Sequence, residues 1–435
     1  MTEAWRSLVH VCRRWRCLVF LSPLRLNLRL FCTPGTPARD TLDVWPALPL
    51  VIEGEITTSS GADNIIVALG QSNRVRRVNL ACLVDRQLER LLAAMQLPFP
   101  ELTRLELELI SDGETPPVVP DSFLGGSAPH LQDLQLRGIP FPGLPNLLLS
   151  ATHLVSLNLS NVPHSGYIPP EAMAALLSAL SSLHALYLRF QSRPDWESRR
   201  PRPPPSKRSA IPPLTYFVFN GAIGYLEDLV TYIDAPHLNH LSITFFHQID
   251  FDGPRLAQFI SRTPILVDCD AYVDFSADTA RVRLTSFKKD LAIGISCREH
   301  NRQLSSVAQV CNSCLPPLSI IESLYIERRY WQQLAWNNDA IENTLWLELL
   351  LPFPAVKNLC IFKDFAPGIA AALQEIVGTE VLPSLQNIFV DIFVERPEQL
   401  GPFQETIGQF LAEREVSGHS VTISVWDGGR IRRRS

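Results

Sequence analysis

Residues 128 to 136, APHLQDLQL, and residues 151 to 159, ATHLVSLNL, are two versions of one nine-residue phrase: an apolar anchor, a second apolar residue three positions later, and a third two after that. The phrase returns as FPELTRLEL (99 to 107), LSSLHALYL (180 to 188), IPPLTYFVF (211 to 219) and APHLNHLSI (235 to 243). It returns again as LSIIESLYI (318 to 326), FPAVKNLCI (353 to 361) and LPSLQNIFV (382 to 390). Self-similarity on this scale marks a chain built from stacked units, each contributing to a core it could not close alone.

The anchors Leu102, Leu131, Leu154, Leu183, Leu214 and Leu238 are 29, 23, 29, 31 and 24 residues apart. The next three, Ile321, Val356 and Leu385, follow gaps of 83, 35 and 29. Residues 245 to 317 therefore hold either degenerate repeats or an inserted element. Within a copy, the last two apolar residues flank a polar one, because a short strand sends alternate side chains to opposite faces. Leu134 and Leu136 point into the core and Gln135 points out. Connecting segments such as EAMAALLSALSSL (171 to 183), with Ala172, Leu176, Leu177 and Leu180 at helical spacing, predict the helices that return the chain to its next strand. The phrase resembles leucine-rich repeats of the irregular, longer type, although the asparagine that often follows the third leucine is not regular here.

Composition fits a folded chain with interior to spare. Of 435 residues, 46% are hydrophobic and 19% charged, too little charge for disorder, and the length calls for several domains or an elongated array. A net charge of -5 lacks the positive field that nucleic-acid binding needs, so no nucleic-acid partner is expected. Nine scattered cysteines, an odd number set mostly in apolar runs, read as reduced thiols in cytosol or nucleus. No apolar run reaches membrane-spanning length, so no membrane is expected. Seven arginines and one acid in the first 39 residues raise a mitochondrial transit peptide, against which stand two tryptophans and few serines.

Residues 3 to 20, EAWRSLVHVCRRWRCLVF, place Trp5, Leu8, Cys12, Trp15 and Val19 on one helical stripe, with Arg6, Arg13 and Arg14 mostly off it. The phrase Cys12-Arg13-Arg14-Trp15 resembles the late helix of an F-box. Together with SPLRLNLRL, ARDTLDVWPALPLVI and the irregular repeats, it makes nearly the whole chain similar to fungal F-box and leucine-rich-repeat proteins. The family's opening Leu-Pro and acidic helix do not precede Trp5, so only the second half of an F-box is matched. The resemblance implies a Skp-type adaptor and a cullin as partners, with Trp5, Leu8, Val9, Cys12 and Trp15 as the adaptor-binding residues, and repeats that hold a target protein for ubiquitination. Without the resemblance, the same stripe reads as an amphipathic helix capping the open end of the solenoid.

Other candidates each have a plainer reading. Cys297, His300, Cys311 and Cys314 have spacing from which four ligands could surround zinc, but Leu304, Val307 and Cys311 share one face of a predicted helix, which makes Cys311 a small core residue. His237 and His240, three apart, occupy the places of His130 and Asp133 in another copy of the phrase, so their spacing is that of the repeat and their role is exposed polar cover. Residues 191 to 213 hold six basic residues and seven prolines and read as an extended surface loop, and the arginines from 430 to 434 as a solvated tail. Phosphate-cradling glycine loops, nucleophile elbows and zinc-protease motifs are absent from the sequence.

The expected fold is a curved α/β leucine-rich-repeat solenoid with parallel short strands, outer helices and a short α-helical partial F-box or cap. The expected divisions are 1–24 for that cap, 25–98 for irregular first repeats, 99–244 for repeats with the Pro/Arg-rich loop, 245–317 for the irregular middle, 318–425 for the last repeats and 426–435 for the tail. The expected function is recognition rather than catalysis, without cofactor. A target protein would sit on the concave strand face over Glu106, Gln135, Asn158, Tyr187, Ser242, Tyr325 and Phe389, the aromatic residues being the best anchors. A repeat scaffold without ligase connection and a zinc-binding protein are the alternatives.

Overall fold

The computed structural model describes residues 10–21, 28–44, 48–110, 116–191, 208–246, 253–263, 269–328, 341–375, 381–391 and 400–426. The chain divides into two compact units. The first comprises residues 1–215 and 232–235, and the second 216–231 and 236–435. That division falls inside the 99–244 run that the sequence presents as one series.

Eight of the nine copies of the phrase close the same turn, for a reason readable in their first four residues. A backbone N–H three residues on closes a turn onto the opening residue: Leu102 to Phe99, Leu131 to Ala128, Leu154 to Ala151, Leu183 to Leu180 and Leu214 to Ile211 in the first unit. Ile321 to Leu318, Val356 to Phe353 and Leu385 to Leu382 do the same in the second, all at 3.0 to 3.3 Å. Proline stands second in several of these turns (Pro100, Pro129, Pro212, Pro354, Pro383), where its fixed φ suits the first corner. The residue after the anchor then donates to the preceding unit: Thr103 to Arg76, Gln132 to Thr103, Val155 to Gln132, His184 to Val155 and Thr215 to His184, at 2.8 to 3.0 Å. The turn thus reverses the return path and delivers the chain into the ladder already in register. All nine anchors are buried, none more than 2% exposed. The opening residues, from Phe99 to Leu382, are buried too, a fourth inward position per unit.

In the first unit, the strands β1 (Leu30–Cys32), β2 (Leu50–Ile56), β3 (Val75–Cys82), β4 (Arg104–Leu109), β5 (Asp133–Arg137), β6 (Ser156–Val162) and β7 (Ala185–Phe190) lie in chain order. Every neighbouring pair is parallel. A short parallel pair, β8 (Ser209–Ala210) with β10 (Ile233–Asp234), stands apart. Helices Ala38–Val44, Ser59–Leu69, Asp85–Ala94, Leu144–Leu148 and Pro170–Ala179 return the chain. Helix Asp85–Ala94 buries Leu88, Leu91 and Leu92, the stripe expected of a helix covering a sheet. The helix predicted over 171 to 183 ends at Ala179, because Leu180 already opens the next turn. Gly138 leaves β5 at φ +71, where an added Cβ would lie 2.9 Å from the Leu109 carbonyl oxygen; only glycine fits there without strain.

The second unit holds β9 (Tyr216–Gly221), β11 (His240–Phe245), β12 (Asp270–Phe275), β13 (Thr279–Thr285), β14 (Asp290–Ser296), β15 (Ser323–Arg328), β16 (Asn358–Phe362), β17 (Asn387–Asp391) and β18 (Thr422–Trp426). Their spatial order is β9, β11, β14, β13, β12, β15, β16, β17, β18. Strands β12, β13 and β14 form an antiparallel meander whose outer strands pair parallel with β15 and β11. Here the structure departs from the expected all-parallel series: β13 runs against its neighbours. Helix His300–Ser313 carries the chain from β14 to β15 and packs on β13 and β14. Its Gln303, fully buried, donates to the carbonyls of Ser276 at 3.0 Å and Cys297 at 2.6 Å. Helices Asn343–Leu350, Ala366–Gln374 and Leu400–Val416 follow, each packed on the one before. Trp346, Phe275 and Phe365 interlock beneath the sheet at centroid distances of 5.3 to 6.1 Å.

Candidate functional site: the outward strand face

Alternation along each strand leaves one face to the helices and the other outward. In the first unit, parallel pairing, shifted only at Leu50/Val51 and Leu159/Val162, aligns outward residues into rows. One row runs Glu53, Asn79, Glu106, Gln135, Asn158, Tyr187. Four of the expected recognition residues therefore lie side by side on adjacent strands. The Gln135 amide donates to Glu106 Oε1 at 2.9 Å, the Asn158 amide to Gln135 Oε1 at 3.3 Å, and the Ser160 hydroxyl to Asn158 Oδ1 at 2.5 Å. These bonds fix amide and carboxylate orientations before any partner arrives, lowering the ordering cost of binding. Flanking charges interleave: Arg104 lies 3.6 Å from Glu106 and 3.9 Å from Asp133, and Arg137 lies 3.1 Å from Glu108. At the end of the row, the Arg189 guanidinium sits 5.5 Å from the Tyr187 ring centroid, within cation–π range.

The corresponding row of the second unit has a different character. It runs Val218, Ser242, Ala292, Arg283, Tyr272, Tyr325, Cys360, Phe389, Ser424. Ser242, Tyr325 and Phe389 do lie in it, separated by residues that sequence reasoning passed over. Tyr272 stacks on Tyr325 with centroids 4.6 Å apart and planes 10° from parallel, and Arg283 covers the Tyr272 ring at 4.7 Å. Tyr272, Tyr325 and Cys360 form a buried cluster against which Phe389 packs. Tyr325 is only 2% exposed: expected as an open anchor, it is a packed member of a small second core. Burial holds the Cys360 thiol above its ordinary pKa, with Glu327 and Asp270 adding to the effect, so it is a protonated filler and no nucleophile. The strict alternation in TARVRLT (279 to 285) was the available signal for Arg283.

A second row of this face is polar. Asn358 donates to Ser323 at 3.3 Å, Asn387 to Asn358 at 2.9 Å, and Thr422 to Asn387 at 2.7 Å, an amide ladder along three parallel joints. His240 stacks on Tyr216 at 4.0 Å and its Nδ1 lies 3.1 Å from Asp290, while His237 is exposed.

Of the expected adaptor-binding residues, Trp5, Leu8 and Val9 lie outside the described residues. Cys12 is exposed just before helix Arg13–Leu21. That helix buries Val19 and leaves Trp15 and Leu18 exposed, Trp15 at 48%, as is Val11 in the turn before it. The Cys/His set does not converge: among the described residues no three His, Cys, Asp or Glu side chains are placed to hold a metal ion. Cys297 bonds to the Glu299 carbonyl, Cys314 to that of Gly253, and burial raises the pKa of the fully enclosed Cys311. No helix among the described residues is long and apolar enough to cross a membrane. The Pro/Arg-rich segment from 192 to 207 and the arginines near the end of the chain lie outside the described residues.

Repeated turns, in-register parallel strands and returning helices make this a mixed α/β fold of the leucine-rich-repeat kind, interrupted once by an antiparallel meander. No family model matches the sequence, and no curated protein is significantly similar to it. Among solved structures, the chain is similar to the leucine-rich repeat-containing protein LegL7 from Legionella pneumophila, at 13% identity over 91% of this chain and 99% of that one, with a TM-score of 0.28. The fold assignment rests on this chain's own register and turns.

Proposed function

We propose that the chain is a non-enzymatic recognition scaffold that binds another protein on the outward face of its strands. The observation that carries this reading is the ordered row Glu106, Gln135, Asn158, Tyr187, whose polar groups are aligned by the repeat and oriented by their mutual hydrogen bonds. A face that served only to be solvated has no need of oriented amides ending in an aromatic residue beside an arginine, whereas interfaces draw much of their energy from such residues. Absence of a catalytic role is an inference from use: among the described residues, inward positions are consumed by the core, the outward row of the first unit is open, and that of the second is filled by Tyr272, Tyr325 and Cys360 rather than hollowed into a preorganised site.

The finer reading makes this scaffold the target-binding half of a cullin-RING ubiquitin ligase. Its support is the Cys12-to-Trp15 phrase and a helix whose Trp15 and Leu18 remain open to solvent, with Val11 exposed just before it, an apolar patch of the sort that engages an adaptor. Affinity purification with mass spectrometry on the full chain tests both levels. Partners recovered with the wild type and lost with Tyr187→Ala support the scaffold; a partner set unchanged by Tyr187→Ala removes it. A Skp-type adaptor and a cullin that disappear with Trp15→Ala support the ligase role, and their absence from the wild type leaves a scaffold alone.

A further inference from the structure

The antiparallel meander of the second unit ends in an unusual residue. Between β13 and β14 the chain reverses through Phe287 and Lys288, with the Ser286 N–H bonded to the Lys289 carbonyl at 2.9 Å. Phe287 is 97% exposed, on a turn whose flanks are fixed by the pairing of Thr285 with Asp290. Scattered exposed apolar residues are common, but a fully projecting phenylalanine on a rigid tip is a knob with little ordering cost to pair.

At the same end of the strands lies a groove of about 290 Å³ walled by Cys269, Leu284, Pro316, Pro317, Leu318 and Ile320, among others, with Ile320 itself 57% exposed. Leu284 belongs to both features, since it lines the groove and stands three residues from Phe287. Knob and groove therefore sit within about 10 Å along one strand. Charge agrees. The knob carries Lys288 and Lys289, and two acids adjoin groove residues in the chain, Asp270 beside Cys269 and Glu322 beside Ile321, the Glu322 side chain being 55% exposed and paired with Lys357 at 2.7 Å.

We propose that a second copy of this chain fills the groove: two second units associate about a two-fold axis lying between knob and groove, each inserting Phe287 into the other's Pro316–Ile320 groove and bringing Lys288 toward the other's acidic residues. A knob and a groove side by side on one surface are self-complementary under two-fold rotation, and every contact is made twice. The interface is small, so the dimer is weak, with a dissociation constant on the order of 10⁻⁵ to 10⁻³ M.

The test is sedimentation velocity on the purified full chain, from about 5 to about 500 µM, where part of the chain is dimeric even at the weak end of that range. The expected result is a concentration-dependent dimer whose dissociation constant rises at least about 100-fold in Phe287→Ala, because two buried rings are lost at once. Lys288→Glu is expected to weaken it as well. A chain that stays monomeric over this range overturns the proposal, and so does a dimer indifferent to Phe287→Ala, since it would use another surface. Pairing Lys288→Cys with Glu322→Cys, with Phe287 kept and the exposed Cys12 and Cys17 replaced by serine, gives an independent readout under oxidation. A covalent dimer on a non-reducing gel supports exchange between copies; a disulfide within one chain shows the knob turning into its own groove and rules the exchange out.

Discussion

Replacing Tyr325 by alanine separates a packed outward face from a merely polar one. In an ordinary repeat array the outward strand residues are solvated, and truncating one alters stability by about 0.5 kcal/mol or less. Tyr325 is 2% exposed and stacked on Tyr272. An aromatic side chain buries about 150 to 250 Å², which at about 25 cal/mol per Å² corresponds to roughly 4 to 6 kcal/mol. Compactness of the unfolded chain lowers this toward about 3 to 5 kcal/mol, the range of core aromatic truncations. Gln135→Ala, in the equivalent row of the first unit, should cost about 1 kcal/mol, for a few partly exposed hydrogen bonds. Urea unfolding reads both as midpoint shifts at constant slope. Because the chain has two units, hydrogen exchange in β15 and β16 should report which one loosened. A cycle with Tyr272→Ala should return a coupling of about 0.5 to 1.5 kcal/mol from the stack. A Tyr325→Ala cost below about 1 kcal/mol, with no coupling, would refute the claim that this face carries a second core.

Further outcomes follow from other sites. Gly138→Ala forces a Cβ into the left-handed region 2.9 Å from a backbone oxygen, so stability should fall by about 2 kcal/mol or more, seen in thermal unfolding; an unchanged midpoint would contradict the turn geometry. Burial pushes the Cys82 thiol from an ordinary 9.0 to about 12. The folded chain thus keeps a proton that the unfolded chain releases above pH 9, and stability should decline with rising pH between about 9 and 12; Cys82→Ala should flatten part of that decline. In the folded protein at neutral pH, a thiol reagent should modify Cys12 and Cys17, which are exposed, and spare Cys32, Cys82, Cys311 and Cys360; mass spectrometry of the labelled peptides reads this directly.

Much of the fold was legible because its decisive residues are local. The anchor, the two alternating apolar residues and the turn proline all lie within nine positions, and the ladder hand-off follows from them. The opening residue of each phrase could have been read as well: Phe99, Ala128, Ala151, Leu180, Ile211, Ala235, Leu318, Phe353 and Leu382 are all apolar. The middle of the second unit was not legible from alternation, since the period-two pattern in DAYVDF, TARVRLT and DLAIGIS (residues 270–275, 279–285 and 290–296) is the same whichever way a strand runs. Its signal lies in the loops: residues 276–278 and 286–289 are too few for a parallel crossover and force β13 to oppose its neighbours. The outward rows were legible as faces, because alternation assigns a face. It does not say whether a face is covered, which depends on Tyr272, Arg283 and Cys360 arriving from other strands. Hence Glu106, Gln135, Asn158 and Tyr187 lie where periodicity put them, while Tyr325, assigned to the same kind of surface, is enclosed.

The meander also sets a timetable for assembly. Neighbouring strands of the first unit from β4 to β7 pair across 23 to 29 residues of chain, so each can dock as soon as it is made. In the second unit His240 of β11 meets Asp290, and Ala271 of β12 meets Leu324, spans of 50 and 53 residues. Doubling a loop adds only about 0.6 kcal/mol of closure entropy, so the joints lose little in stability. They lose speed, because sequence-distant pairing slows folding far more than it weakens the product. The hairpins of β12, β13 and β14 are by contrast the most local contacts in the unit. They can close first and then wait, as a preformed patch with two open edges, until β11 and β15 are both available; during synthesis from the amino terminus, β15 is the last of these to appear.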